Sequence, residues 1–193
     1  MLEALSGLLL GMFVSMLAAT VVSTSLPVIV HDLDGDQTVF TWVVTATLLT
    51  TAISTPIWGK LADLFDRKLL IQLALALFVL ATAAAGFSQD PGTLIAFRAV
   101  QGLGAGGLAA LSQVLMADII SPRERGRYMG LFGAVMALAT VGGPLLGGFI
   151  TDGIGWRWNF FVAIPFAIAA FVILQRTLHV PRVRREKVSI DYL

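Results

Sequence analysis

In 193 residues the chain carries 57% hydrophobic and only 13% charged residues, with a mean hydropathy of +0.86, a balance that excludes an ordinary water-soluble domain. It has no cysteine, which excludes a disulfide framework and thiolate metal sites, and only His31 and His179 offer imidazole, so neither a metal nor another cofactor is expected. The net charge of +1 hides a segregation in which basic residues collect in some connections and acidic ones in the others.

A bilayer core about 30 Å thick takes spans of about 20 apolar residues. Six are expected, at about 5–30, 39–59, 69–87, 92–117, 127–150 and 160–178. Met1–Leu10 has no basic lead and no small-residue cleavage site follows, so the first segment reads as a retained span. Thr20, Ser23 and Thr24 are polar residues within it, placed either to line a central cavity or to hydrogen-bond a neighbouring helix. The first connection, His31–Thr38, holds Asp32, Asp34 and Asp36.

Gly59–Lys68, reading G-K-L-A-D-L-F-D-R-K, places five charges between two apolar segments. It is net basic, and Asp63 and Arg67 stand four apart, a spacing that permits a charge-paired latch as well as fixing topology. The next connection, Ser88–Gly92, is a turn marked by Asp90, Pro91 and Gly92.

Arg98 lies inside the fourth span, where a charge costs about 2.5–3.5 kcal/mol on insertion scales and so needs a partner or a water-filled cavity. Snorkelling to the nearer interface is the alternative, since only a few residues separate Arg98 from Gly92. Gln101 and a glycine series, Gly102, Gly104, Gly106 and Gly107, follow on the same helix. Asp118 lies twenty residues beyond Arg98, about 30 Å of helix, which brings it to the end that carries Asp63 and Arg67. Arg127 is near enough to join them, whereas three solvated loop charges remain the plainer reading.

Pro122 in the basic turn Ser121–Arg125 suits the first turn of the following helix. The fifth span contains G-G-P-L-L-G-G: Gly142, Gly143, Pro144, Gly147 and Gly148 read as a bend or sliding surface, or as ordinary close packing. Trp42, Trp58, Trp156 and Trp158 sit near span ends, as an interfacial belt requires. The tail R-V-R-R-E-K, Arg182–Lys187, serves topology and contact with anionic membrane lipids rather than nucleic acid.

With alternating spans, Lys60, Arg67, Lys68, Arg123, Arg125, Arg127 and the tail fall on one side, which makes that side and both termini cytoplasmic. G-K-L-A-D at Gly59–Asp63 is echoed by G-F-I-T-D at Gly148–Asp152, at the second helix of each triplet but on opposite sides of the membrane. The fold expected is therefore an all-α integral membrane protein with six transmembrane helices as a 3+3 inverted repeat. Phosphate-cradling, zinc-protease and nucleophile-elbow motifs are all lacking, so an enzyme is not expected.

Taken together, G-K-L-A-D-L-F-D-R-K, L-I-A-F-R-A-V-Q-G-L-G-A-G-G, G-G-P-L-L-G-G, T-V-V-S-T-S-L-P and W-R-W resemble the loop, helix-four, helix-five, helix-one and helix-six motifs of the major facilitator superfamily. Within it they look most like the fourteen-helix drug:proton antiporters. The resemblance runs from the first span to Leu193 and implies one half of a major facilitator fold, the amino-terminal six-helix half of a proton-driven multidrug or organic-compound exporter in a cell inner (plasma) membrane. It implies a small lipophilic or cationic organic substrate, protons as the coupled ion and a second six-helix half as partner. By motif position, Arg98 takes part in proton coupling, Gly142–Gly148 shape an antiporter-type bend, and Gly59, Asp63, Arg67, Asp118 and Arg127 belong to a cytoplasmic gating latch. Thr20, Ser23, Thr24 and Gln101 are the cavity candidates.

Three departures accompany the resemblance. Ala18 and Ala19 stand where this branch usually has a helix-one aspartate, Asp66 replaces the loop glycine, and Ala163 replaces an asparagine before Pro165. No ionisable residue other than Arg98 stands at mid-membrane depth, so a proton-carrying carboxylate has to come from elsewhere. The segment S-I-D-Y-L, Ser189–Leu193, looks like the lead into a seventh helix. A six-helix module that pairs with or regulates another chain without transporting is the competing expectation.

Overall fold

A computed structural model describes residues 2–178, with side chains from Leu5 onward; His179 and the basic tail lie outside the described residues. Seven helices follow in order: α1 (Leu2–Asp32), α2 (Gln37–Leu64), α3 (Arg67–Gly86), α4 (Pro91–Ile119), α5 (Arg125–Gly153), α6 (Trp158–Phe161) and α7 (Ala163–Thr177). The first five and the α6–α7 pair make six membrane-length spans. In hydrocarbon every backbone amide must bond within its own segment, which is why apolar stretches this long take the helical form.

Carboxylates start three of the helices. Asp36 accepts from the Val39 amide at 3.0 Å, Asp66 from the Lys68 amide at 2.8 Å and the Leu69 amide at 3.2 Å, and Asp90 from the Thr93 amide at 2.9 Å. The Thr93 hydroxyl also donates to Asp90 and, with that amide, holds its carboxyl below the usual carboxylate range. Pro91 is thus the first residue of α4 rather than part of the preceding turn, a position that suits its missing N–H.

Two local expectations are corrected. Pro122 lies in the turn before α5, which begins only at Arg125, because Ser121 O accepts from the Glu124 and Arg125 amides and closes a separate turn there. The charged run Gly59–Lys68 is mostly helix: α2 continues to Leu64, and only Phe65 and Asp66 separate it from α3. The sixth span is interrupted at Val162, where Pro165 cannot donate to the Phe161 carbonyl and the turn loosens.

The helices pack in a pattern that survives exchange of the first three spans with the last three. Helix α4 lies against α2 as α1 lies against α5, and α4 packs on α3 as α1 packs on α7. This is the expected 3+3 inverted arrangement. Leu8, Val14, Phe78, Leu108, Leu111 and Leu174 form the centre of the main core, where α1, α3, α4 and α7 meet. Helices α2 and α5 lie outermost: 11% and 17% of their most apolar stretches are buried, against at least 50% for α1, α3 and α4.

A cavity-facing arginine and a charged pair at the helix ends

Helix α4 can approach α2 closely because its glycines form the seam. A methyl group on Gly102 would fall 2.5 Å from the Thr47 carbonyl oxygen, and one on Gly106 would fall 2.7 Å from that of Thr51. With the backbones this near, hydroxyls of α2 reach carbonyls of α4: Thr47 donates to Arg98 O and Thr51 to Gly102 O, each at 3.1 Å. The Trp58 indole donates to Leu103 O at 2.9 Å, so this tryptophan is tied to a neighbouring helix in addition to lying near a span end.

Arg98 is 4% exposed, and its side chain turns inward along the span instead of snorkelling outward. Its Nη1 donates to Gln101 Oε1 at 2.7 Å, Gln101 Nε2 donates to the Thr82 hydroxyl at 2.8 Å, and Thr82 donates to the Phe78 carbonyl. The chain of bonds locks the guanidinium of α4 to α3. Arg98 Nε has no partner among the described residues. Arg98 and Gln101 line a cavity of about 240 Å³ together with Met12, Met16, Leu108 and Met136, and Ala19 forms part of the same wall.

Thr20, Ser23 and Thr24 lie outside that lining. Thr20 bonds across to Ala139 O of α5 at 3.1 Å, while the exposed Ser23 and Thr24 donate to Ala19 O and Thr20 O of their own helix. Sequence reasoning passed over Ser25, Thr82, Thr151 and Asn159. Asn159 is fully buried and donates to Ser25 and, at 2.8 Å, to Thr151, joining α6 to α1 and α5. The only available signal was the rule that polar residues in spans turn inward, which does not choose Ser25 over Ser23.

The glycine run of α5 divides in two. Gly143 and Gly147 face Thr20 and Val21 of α1, whereas Gly142 and Gly148 meet nothing within 4 Å. Pro144 lies inside a helix that remains unbroken from Arg125 to Gly153.

At the basic end of the bundle, Arg67 pairs with Asp118, joining the start of α3 to the end of α4. Arg67 Nε also donates to Ala62 O at 3.3 Å, which fixes the guanidinium against the last turn of α2. Asp63 is exposed in the last turn of α2, across the helix break from Arg67, and Gly59 lies in α2 with open space where a side chain would be. Arg127 is exposed in the first turn of α5 and joins no ion pair among the described residues. At the opposite end the Trp156 indole donates to Asp32 at 2.9 Å, and Arg157 lies 4.3 Å over its ring while donating to Gly86 O and Ser88 O at the end of α3. Gly155, with φ +106°, makes the sharp entry to this segment that a side chain would strain.

Six membrane-length spans, paired in inverted triplets around a cavity, are the construction of a multi-pass membrane protein. Residues 8–190 match the Major Facilitator Superfamily, and the chain belongs to that family. It is 38% identical to the multidrug transporter protein MdtP of Bacillus subtilis over 174 residues, which cover 90% of this chain and 32% of that protein. It is 43% identical to the efflux pump dotC of Dothistroma septosporum over 171 residues, 89% of this chain and 29% of that one. A solved bacterial homologue of the human lysosomal transporter Spinster, inward-facing and occupied, superposes with a TM-score of 0.80 at 20% identity, covering 93% of this chain and 44% of its own. The chain thus spans about a third of the length of these curated relatives.

Proposed function

We propose that the chain is the amino-terminal six-helix half of a proton-driven exporter of small lipophilic organic compounds, in an inner (plasma) membrane with both termini cytoplasmic. The observation that carries the reading is Arg98: a buried charge, held by Gln101, on the wall of a cavity between five helices. The names of the similar efflux proteins support export as the direction. Lys60, Arg67, Lys68, Arg123, Arg125 and Arg127 gather at one end, which supports the orientation.

Arg98 acts in coupling by its charge, since an arginine side chain does not give up its proton in proteins. The proton carrier is a carboxylate outside these spans. Gly142, Gly143, Pro144, Gly147 and Gly148 let α5 flex against α1, and Pro144 leaves the Thr140 carbonyl without its helical donor. Asp118 and Arg67, with Gly59, Asp63 and Arg127 around them, hold one state of the transport cycle. The second six-helix half packs on the outward faces of α2 and α5.

The test is accumulation of a lipophilic fluorescent dye in a pump-deficient bacterial strain expressing the transporter that contains this chain. Accumulation is expected to fall and to return to the control level when the proton gradient is collapsed. Unchanged accumulation across a broad compound panel would remove the exporter reading and favour the non-transporting module.

A further inference from the structure

The charge balance around the cavity is one-sided. Among the described residues Arg98, which lines the cavity, makes no ion pair, and its buried Nε has no hydrogen-bond partner. The carboxylates of the spans from Leu5 onward, Asp32, Asp63, Asp118 and Asp152, all lie in the last turns of their helices, and none forms an ion pair with the guanidinium. Gln101 supplies a neutral oxygen and nothing more, and its own amide is committed to Thr82.

Most of the remaining wall is apolar; Ser15, Thr47 and Thr51 are its polar members, and the two threonine hydroxyls are committed to carbonyls of α4. Along α4 the lining runs from Arg98 through Ala105 to Leu108 and Ala109, with Met12 and Met136 from α1 and α5. Methionine is flexible and polarisable, which suits contact with ligands of varied shape. The cavity therefore offers one end with an uncompensated fixed positive charge and a greasy length leading away from it.

We infer that this cavity binds a small amphipathic organic anion, a carboxylate on an apolar body, with its oxygens at Arg98 and its body along Ala105, Leu108 and the two methionines. The carboxylate supplies the counter-charge that the described residues do not, through a charge-assisted hydrogen bond to the guanidinium in surroundings of low dielectric. A cation in the same cavity meets a like charge there. Calling the anion a transported substrate rests on the exporter reading above; the binding site itself rests on the cavity and on a guanidinium that has no ionic partner among the described residues. Ala19, on the same wall, is where a counter-charge can be added without touching Arg98.

Purified chain in lipid nanodiscs is titrated with 1-naphthylacetate, 1-naphthylacetamide and 1-naphthylethylamine, three probes of nearly equal shape that differ in charge. The carboxylate is expected to bind at least tenfold more tightly than the amide, and the amine more weakly still. Arg98→Gln is expected to reduce the carboxylate to the affinity of the amide. Ala19→Asp is expected to weaken the carboxylate at least tenfold, leave the amide within threefold and bring the amine up. Equal binding of the three probes to the unmodified chain would overturn the inference without any variant having to fold, as would a carboxylate preference that survives both substitutions. Because the titration needs no transport, its outcome is separable from dye accumulation: binding without export sinks the exporter reading alone, and export without carboxylate preference sinks the anion site alone.

Discussion

Asp66 occupies one of only two residues between α2 and α3, and its carboxylate accepts from two amides of the first turn of α3. That explains how the chain departs from the loop glycine of the motif it resembles without losing the turn. An aspartate cap satisfies amides that helix geometry leaves unpaired, and a glycine at the same position leaves them to water at little cost. Asp66→Ala is expected to destabilise the purified chain by about 1 kcal/mol and Asp66→Gly by only a few tenths, read from loss of helicity during titration of mixed micelles with sodium dodecyl sulfate. Equal costs for the two would mean that the carboxylate is not acting as a cap. Arg98 was legible at this scale because a charge inside a span is expensive wherever it points. Its partner Thr82 was not, because one threonine in an apolar run carries no sign of which neighbour it will face.

Between elements, the determining feature is where glycine meets backbone. Gly102 and Gly106 allow α4 onto α2, Gly104 allows it onto α3, where a methyl would fall 2.6 Å from the Phe78 amide nitrogen, and Gly143 and Gly147 allow α5 onto α1. The two symmetric crossings divide the work differently: α4 supplies glycines and α2 hydroxyls, whereas α5 supplies glycines and α1 hydroxyls through Thr20 and Ser25. Gly102→Ala and Gly106→Ala are therefore expected to cost about 1–3 kcal/mol each, since backbone rather than a movable side-chain tip must yield. Gly142→Ala and Gly148→Ala, facing open space, are expected to be neutral or to stabilise by up to about 1 kcal/mol through higher helix propensity. Unfolding of the four variants by the same micelle titration checks the contrast, and similar values for all four would contradict it. The sequence showed the density of glycine in the fourth and fifth spans but not this division, because the facing of each residue depends on a crossing register that only the packed helices define.

For the molecule as a whole, six membrane-length helices were legible because a bilayer imposes length and apolarity on every crossing. The echo of Gly59–Asp63 in Gly148–Asp152 also pointed to the exchange symmetry of the packing. The cavity was not legible, since its wall draws on five helices, whereas helix length already brought Asp118 to the end that carries Arg67, with which it pairs. That pair ties α3 to α4 at the basic end, with the Arg67 side chain 22% and the Asp118 side chain 36% exposed. A pair so accessible to water contributes about 0.2–1 kcal/mol, too little to decide whether the bundle folds. The same energy applied to an equilibrium between two transport states shifts their ratio by up to roughly fivefold. Asp118→Asn is therefore expected to change the export rate of the transporter that contains this chain by up to about fivefold while costing no more than about 1 kcal/mol in the micelle titration, and the exchanged pair Arg67→Asp with Asp118→Arg is expected to restore most of the rate. Raising salt should narrow the difference between the unmodified protein and Asp118→Asn, because ions screen the exposed pair. A stability loss well beyond about 1 kcal/mol would make the pair a structural tie instead of a latch, and an unchanged rate in Asp118→Asn would remove it from the transport cycle.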